Sequence, residues 1–462
     1  MKKGIIAVVY TVLLAITYLM PMEGLAQNGK IALLVFFWAI GLWIIRPIPE
    51  LLTSLIAVTF LLLTKAAGAE AVSGFNLSWW MVTFACLLGA TISYTGLGRR
   101  GAFFLLSKVG SNILRVMYAT TFANNLLAPF TPSNTARGAI MAGIVEGICE
   151  KMGIKPGERK GDHTLMLANM YTNTTNTCMF LTATGANIIS VSLIAEITGQ
   201  TVNWSDWFIA SFVPILPVLL LLPLIIYKMF PPESKTIDMT YAKQELEEMG
   251  PMTHAEKATL VIMLCALVLW ATQIWHQIPA DKVGFIMACA LLFPKFGAVS
   301  WKEMQDKMPW AMVLWLGFAM SLGNVVNKTG GFKWLINQAF VASPFLANLE
   351  YIPFLVILIT SIVFMHIAFS GMNAMVMIMI PVAVSLAALK GYDPYAVGLI
   401  TSLAAAGGAF FLPFNSAPNM IFYSYGRYTV KDHIMGAIPL AILIVLALLF
   451  ALFVWWPIIG LI

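Results

Sequence analysis

Residues 128–138 read APFTPSNTARG, and residues 413–419 read PFNSAPN. Both stretches are polar or rich in proline, yet each interrupts a long apolar run. Irregular backbone at membrane depth is tolerated only where protein buries it or where it lines a cavity, because lipid offers no partner to the freed N–H and C=O groups. The two interruptions therefore predict membrane helices that break around an internal site.

Two further interruptions accompany them, TATGAN at residues 182–187 and HIAFSGMN at residues 366–373. Small and hydroxyl residues are also common where membrane helices pack, so packing alone would explain any single motif. Four interruptions, two in each half of the chain, favour a binding site. Their Ser, Thr and Asn side chains supply neutral donors and acceptors, and the N-termini of broken helices favour an anion.

The composition excludes a soluble domain. Of the 462 residues 60% are hydrophobic and only 10% are charged, and the mean hydropathy is +0.85, whereas a soluble domain carries about 25% charged residues. A helix needs roughly 20 apolar residues to cross a bilayer. Such runs predict about eleven spans, near 4–22, 30–48, 51–68, 79–98, 164–195, 207–230, 257–276, 282–298, 309–327, 393–425 and 433–460.

Two other apolar stretches, 117–150 and 345–390, are too long for one helix and have polar centres. They are better described as re-entrant hairpins. The distribution of Lys and Arg, with Arg46 among the cytoplasmic residues, predicts a cytoplasmic N-terminus and an external C-terminus. It also makes the first hairpin open inward and the second outward, and Glu146 is expected in solvent at the mouth of the first.

Weak similarity between the halves predicts an internal repeat. Thr95-Gly96 parallels Thr329-Gly330, and residues 184–187 parallel residues 416–419. An odd number of crossing elements per half inverts the repeats, which points to a site at mid-membrane. The predicted fold is an all-α polytopic membrane protein in inverted repeats. Its parts are an N-terminal span (1–29), a first repeat (30–230), a cytoplasmic linker (231–256) and a second repeat (257–462).

The chain carries no nucleotide-binding P-loop, no HExxH motif and no Ser/His/Asp constellation on a soluble domain, so we do not expect an enzyme. The five cysteines form no CxxC pair, and no metal or cofactor is expected. The net charge of +6 needs no nucleic-acid partner, because cytoplasmic loops are rich in Lys and Arg. An anion channel is the less favoured alternative, because no repeated filter motif is found.

The triplet Ser133-Asn134-Thr135 and the Pro418-Asn419 pair resemble the motifs of the divalent anion:sodium symporter (DASS) family of di- and tricarboxylate transporters. The resemblance covers nearly the whole chain, and residues 128–138 look most like the citrate/succinate and oxoglutarate/malate translocators. It implies a homodimer with a scaffold and a mobile transport domain that moves like an elevator. The short loops and the lack of a presequence separately predict a bacterial inner membrane. The implied substrates are small dicarboxylates of the malate, succinate or 2-oxoglutarate type.

The resemblance also implies where these anions bind. The expected substrate-binding residues are Ser133, Asn134, Thr135, Thr184, Ser370, Gly371, Met372, Asn373, Asn415, Ser416, Ala417 and Pro418. If transport is coupled to sodium, the expected cation ligands are Ser133, Asn134, Gly185 and Asn373.

The chain departs from the symporter pattern at two positions. Met372 replaces the middle Asn of the second triplet, and Pro129 stands where symporters can supply a hydroxyl. Both cation sites therefore lose an oxygen ligand, while Arg137 and His366 bring positive charge to the same places. We expect these two residues to replace sodium and the protein to be a sodium-independent exchanger. A sodium-coupled di/tricarboxylate symporter is the alternative.

Overall fold

The computed structural model describes residues 2–131, 133–151, 153–236, 240–342, 348–367 and 371–462. In these ranges every regular element is helical, and the only β pairing is an isolated bridge between Asn112 and Thr236. The predicted all-helical class is confirmed.

The first half of the chain forms ten helices of two turns or more in the described ranges. They are α1 (Lys2–Leu19), α2 (Gln27–Ile45), α3 (Glu50–Leu63), α4 (Leu77–Thr95), α5 (Leu97–Leu106), α6 (Ile113–Leu127), α7 (Asn134–Lys151), α8 (Asp162–Thr175), α9 (Gly185–Thr198) and α10 (Trp204–Met229).

A helix in the linker, α11 (Thr240–Glu248), is followed by the helices of the second half. These are α12 (His254–Ala271), α13 (Ala280–Leu292), α14 (Trp310–Lys328), α15 (Gly331–Ala342), α16 (Tyr351–Met365), α17 (Met372–Leu389), α18 (Pro394–Gly407), α19 (Ala417–Ser424) and α20 (Val430–Phe450). A π-turn continues α20 to Trp455.

Six helices of the described residues are long and apolar enough to cross a membrane: α2, α10, α12, α14, α17 and α20 with its extension. A seventh span is counted if α4 and α5, bent by 62° at Gly96, form one. Gly96 has a φ of 78°, which glycine adopts without strain. Several other apolar helices have 10–17 residues. The total of about eleven spans, the re-entrant hairpins and the domain boundaries stay predictions.

The order of elements in α2–α10 is repeated in α12–α20. In the first half α8 gives way to a short 3₁₀ helix, Leu181–Ala183, before α9 begins. In the second half α18 gives way to Pro413–Asn415 before α19 begins. Both interruptions lie where the sequence predicted broken helices.

Two asparagines hold these breaks in the same way. The side-chain amide of Asn187 donates to the carbonyl oxygens of Thr177 (2.7 Å) and Phe180 (3.0 Å). That of Asn419 donates to the carbonyls of Ala409 (2.9 Å) and Leu412 (3.4 Å), again ten and seven residues upstream. Each asparagine therefore pairs two carbonyls that the broken helix leaves free.

The helices pack in two groups. In the framework group (α1–α4 and α12–α14), α2 packs on α3, α3 on α14, and α4 on α13. In the hairpin group (α6–α10 and α16–α20), α7 packs on α8 and α19, and α17 packs on α9 and α18. Helices from both halves contribute to each group, so the packing units are not the sequence halves.

Glu146 lies inside the hairpin group and not in solvent, which corrects the sequence-based expectation. The Arg427 guanidinium donates to both of its carboxylate oxygens, at 2.5 and 2.9 Å. Arg427 also donates to the carbonyl of Ile154. A basic residue before α20 thereby neutralises the acid and joins the end of the chain to α7.

We predict that Asn187→Ala and Asn419→Ala lower the free energy of unfolding by similar amounts, about 1–3 kcal/mol each, because each leaves buried carbonyls unpaired. Thermal unfolding of the purified protein in detergent measures the effect. The exposed Asn348→Ala is the control. Melting temperatures equal to the wild type in both variants would contradict this role.

Candidate functional site

A cavity of about 130 Å³ lies between the two helix breaks and two further segments of the hairpin group. These segments are the α6–α7 turn with residues 133–135, called the first hairpin turn, and residues 371–373 at the start of α17, called the second hairpin turn. The cavity is lined by Ser133, Asn134, Thr135, Thr184, Gly185, Gly371, Met372, Asn373, Ser416, Ala417 and Pro418 from the hairpin group, and by Arg46, Met312, Trp315 and Leu316 from the framework side. Most residues chosen from the sequence thus meet in one place.

Four helices begin at this cavity. Asn134 is the first residue of α7, Gly185 of α9, Met372 of α17 and Ala417 of α19. The first N–H groups of a helix have no partner within it, and the helix dipole places partial positive charge there. Four such ends around one cavity make a binding site for an anion.

The two hairpin turns touch through the middle residue of each triplet, Asn134 in Ser133–Thr135 and Met372 in Gly371–Asn373. The Asn134 amide lies 3.6 Å from the Met372 sulfur. Asn134 is held in turn by Asn173, whose amide donates to its carbonyl at 3.0 Å. The Ser133 hydroxyl accepts from the N–H of Ala136 and caps α7. Met372 thus occupies the position that faces the first triplet.

The residues that precede α9 and α19 offer hydroxyl groups. Thr184 and Ser416 have extended backbones, and neither side chain caps its own helix. The Ser416 oxygen is buried without a hydrogen-bond partner among the described residues. Because a buried polar atom costs free energy when unpaired, Ser416 is well suited to bind a ligand.

Arg137 does not line the cavity. Its side chain is fully buried directly behind the first hairpin turn and the first break. The guanidinium donates to the side-chain oxygens of Asn124, Asn173 and Asn176 and to the carbonyls of Thr131, Ala183 and Asn173, at 2.9–3.2 Å.

All of these acceptors are neutral, so no carboxylate among Arg137's described contacts compensates its charge. A guanidinium remains protonated in proteins. Arg137 therefore joins the turn to the break and leaves a fixed positive charge close to the cavity.

His366 and Asn415 also lie behind the lining. The His366 ring nitrogen Nε2 is 2.8 Å from the carbonyl oxygen of Ala405. The Asn415 amide donates to the backbone oxygen of His366 at 2.6 Å, and its side-chain oxygen accepts from the N–H of Leu412. Both residues connect the second hairpin to the second break. Ser370 lies outside the described residues.

A family comparison agrees with this geometry. The model of the "Sodium:sulfate symporter transmembrane region" family matches residues 2–462. The chain belongs to this family. The resemblance inferred from the Ser-Asn-Thr and Pro-Asn motifs is confirmed. This member of the sodium:sulfate symporter family is a multi-pass membrane transporter and not an enzyme.

Curated relatives of this symporter-family chain include transporters of similar length. Inner membrane protein YbhI of Escherichia coli is 30% identical over 451 residues, covering 94% of this chain and 92% of the relative. An uncharacterized transporter of Haemophilus influenzae is 32% identical over 443 residues, which cover 92% of this chain and 91% of the relative. The L-tartrate/succinate antiporter of Escherichia coli is 28% identical over 96% of both chains.

Two solved structures share the fold. The YdaH transporter of Alcanivorax borkumensis has a TM-score of 0.56 at 14% identity, covering 88% of this chain and 89% of YdaH. MtrF of Neisseria gonorrhoeae has a TM-score of 0.54 at 16% identity, covering 86% of this chain and 84% of MtrF. These similarities concern the fold of the symporter-family chain, which is that of membrane transporters.

The predicted sodium ligands Ser133, Asn134, Gly185 and Asn373 all line the cavity of this family member. The described lining contains no Asp or Glu side chain, and no cluster of His, Cys, Asp or Glu able to hold a metal occurs in the described ranges. A cation here would depend on neutral oxygens, whereas an anion meets no repulsion from a carboxylate.

Sequence reasoning missed the framework side of the site. This side consists of three residues of α14 and one residue at the end of α2, all far from the four motifs in the sequence. They are Met312, Trp315 and Leu316 on α14, and Arg46 after α2. The charge distribution predicts a cytoplasmic position for Arg46, which stays a prediction, but it does not place the side chain at the site. Its place between an apolar helix and two prolines, Pro47 and Pro49, is the sequence signal that marks it.

We predict that Arg137→Ala lowers the free energy of unfolding by about 3 kcal/mol or more, because it leaves several buried acceptors without a donor. Thermal unfolding in detergent measures the loss. Arg115→Ala, on the exposed side of α6, is the matched control. An Arg137→Ala protein as stable as that control would show that the hydrogen-bond network contributes nothing.

Proposed function

We propose that this chain is a secondary active transporter that exchanges small C4–C6 dicarboxylates, of the malate, succinate or 2-oxoglutarate type, without sodium. The observation that carries the proposal is the cavity where four helix N-termini meet and which has no acidic side chain in its described lining. Such a site attracts a carboxylate without a tight charge clamp, so the ligand can also leave.

The choice of a dicarboxylate has separate support. The antiporter of L-tartrate and succinate is a full-length relative, and both of its substrates are four-carbon dianions. The cavity is small, and its described lining combines the cationic side chain of Arg46 with the helix N-termini. A short anion with two carboxylates matches that lining.

Exchange is supported by the buried charge of Arg137, which has only neutral acceptors among its described contacts. An empty carrier that moves this charge through a low-dielectric region meets a cost that a bound dianion offsets. Movement would then require substrate in both directions. His366, bound to a backbone carbonyl, is the second proposed cation and acts only if it is protonated.

Sodium-coupled symport is the second candidate. It is favoured by the family description and by the four predicted cation ligands in the cavity lining. It is disfavoured at Met372, which presents a sulfur to Asn134 where a symporter would offer an amide oxygen. An anion channel is disfavoured because the helix breaks line one small cavity and the sequence has no repeated filter motif.

The site lies where the framework and hairpin groups meet. We propose that the hairpin group moves past the framework group as an elevator, in a homodimer within a bacterial inner membrane. The N-terminus would be cytoplasmic and the C-terminus external.

We expect proteoliposomes loaded with succinate to take up radiolabelled succinate, malate or 2-oxoglutarate, and empty vesicles to take up little. Replacing external sodium with choline should leave uptake unchanged. Uptake into empty vesicles that requires a sodium gradient would establish symport. Uptake that does not saturate with substrate would establish a channel.

Asn134→Ala and Thr135→Ala should each reduce this exchange to near background while the protein stays folded, because they remove polar groups from the first hairpin turn. Initial uptake rate and thermal unfolding are measured on the same preparations. Thr17→Ala in α1 is the control, since its hydroxyl bonds only within that helix. Wild-type uptake in both hairpin variants contradicts the site assignment.

A further inference from the structure

We propose that Arg46 and Trp315 form a second carboxylate subsite on the framework side of the cavity, which makes the transporter select dianions over monoanions. The inference rests on the proposed carboxylate transport and deepens it. The hairpin group would hold one carboxylate at the four helix N-termini, and the framework group would hold the other.

Arg46 is placed by the way α2 ends. Its backbone is left-handed, with a φ of 52°, and its N–H donates to the carbonyl of Leu42 at 2.8 Å. Pro47 follows directly and stops the helix, and Pro49 precedes the first residue of α3. Left-handed backbone is uncommon for a residue other than glycine, and here it forms the C-cap that ends α2.

The guanidinium of Arg46 reaches the second hairpin turn. Its Nη2 atom lies 3.7 Å from the point that a Cβ on Gly371 would occupy. Of the described side chains that line the smaller cavity, Arg46 is the only charged one. It also lines a neighbouring cavity of about 340 Å³ that shares Met312, Trp315 and Asn373, so it stands where the site joins a larger space.

Trp315 supplies a neutral donor beside Arg46. It lines both cavities, and its side chain is buried. Its indole N–H has no acceptor among the described residues, whereas those of Trp43 and Trp79 donate to backbone carbonyls. Buried donors are nearly always paired, so an unpaired one beside a cavity is available to a ligand.

The Trp315 ring is held in place by Trp43. The two indoles pack edge to face with their centres 5.5 Å apart. Trp43 in turn donates to the backbone oxygen of Glu50 at 3.3 Å. The same few residues at the α2–α3 junction therefore position both proposed donors.

Glu50 gives the subsite a partner that substrate can displace. Its Oε1 atom is 3.1 Å from Nε of Arg46, and about half of the Arg46 side chain is exposed (49%). Exposed ion pairs of this kind are weak. A substrate carboxylate can therefore compete with Glu50 for the guanidinium, which binds carboxylates through two parallel N–H groups.

The two subsites belong to different packing groups. Any displacement of the hairpin group along the framework group separates Arg46 and Trp315 from the hairpin turns. The second carboxylate is thus held in this arrangement of the groups and released in another. A monoanion would use only the hairpin subsite and would gain nothing from Arg46.

The test compares succinate with monomethyl succinate, which keeps the four-carbon chain and replaces one carboxylate with a neutral methyl ester. Succinate counterflow into loaded proteoliposomes gives KM, and competition gives the inhibition constant of the ester. The variants are Arg46→Ala, Arg46→Lys, Trp315→Phe and Glu50→Gln. Trp310→Phe, on the same helix and bonded to the Gln305 carbonyl, is the matched control.

We expect Arg46→Ala to raise the succinate KM about 10- to 100-fold, and Trp315→Phe about tenfold, since each removes a hydrogen bond to a charged group. The inhibition constant of the ester should stay within about twofold, because it does not depend on this subsite. Arg46→Lys should restore part of the affinity. Glu50→Gln should lower the succinate KM, because the competing carboxylate is gone.

Thermal stabilisation of the detergent-solubilised protein by succinate measures binding directly and separates the two proposals. If the wild type exchanges or binds succinate while Arg46→Ala and Trp315→Phe keep both constants, the subsite is overturned and the proposed function stands. A parallel loss of succinate and ester affinity also overturns the subsite, since it indicates general damage. A wild type that neither exchanges nor binds succinate overturns both proposals.

Discussion

The structure depends on one constraint, that a backbone N–H or C=O freed inside a membrane must find a partner within the protein. Residues 176–184 and 408–416 break helices of the hairpin group, and Asn187 and Asn419 each pair two of the carbonyls that result. These bonds let α9 and α19 begin at the cavity with their N–H groups free. The site exists because the asparagine side chains stabilise the breaks, while the N-termini of α9 and α19 at the cavity stay available to a ligand.

Arg137 satisfies the same constraint at the first hairpin turn, where it pairs backbone carbonyls. Its guanidinium gives donors to Thr131 in the turn and to Ala183 in the break, so the two cavity walls are joined by one side chain. In the second half, Asn415 performs the joining by bonding the backbone of His366. Each half therefore links its hairpin to its helix break with a different side chain, a guanidinium in the first and an amide in the second. Of these two side chains, only the guanidinium carries a permanent charge.

The position of the cavity between two packing groups relates affinity to movement. The hairpin group provides four helix ends and neutral side chains, which suit one carboxylate. The framework group adds the cation of Arg46 and the unpaired indole of Trp315. A ligand that needs both groups is bound most tightly when they are together, so relative motion would itself lower the affinity and allow release.

The sequence by itself determined the all-helical membrane class, the internal repeat and most of the lining, because apolar runs and their polar interruptions are local in the chain. Ser133, Asn134, Thr184 and Ser416 were found on that basis. Only the tertiary structure decided that Arg137, His366 and Asn415 lie behind the wall and that Arg46 and Trp315 lie on it. The buried network places the first three, and the approach of α2 and α14 to the hairpin turns places Arg46 and Trp315. The approach of Arg46 to Gly371 joins residues hundreds of positions apart, and no local pattern records it.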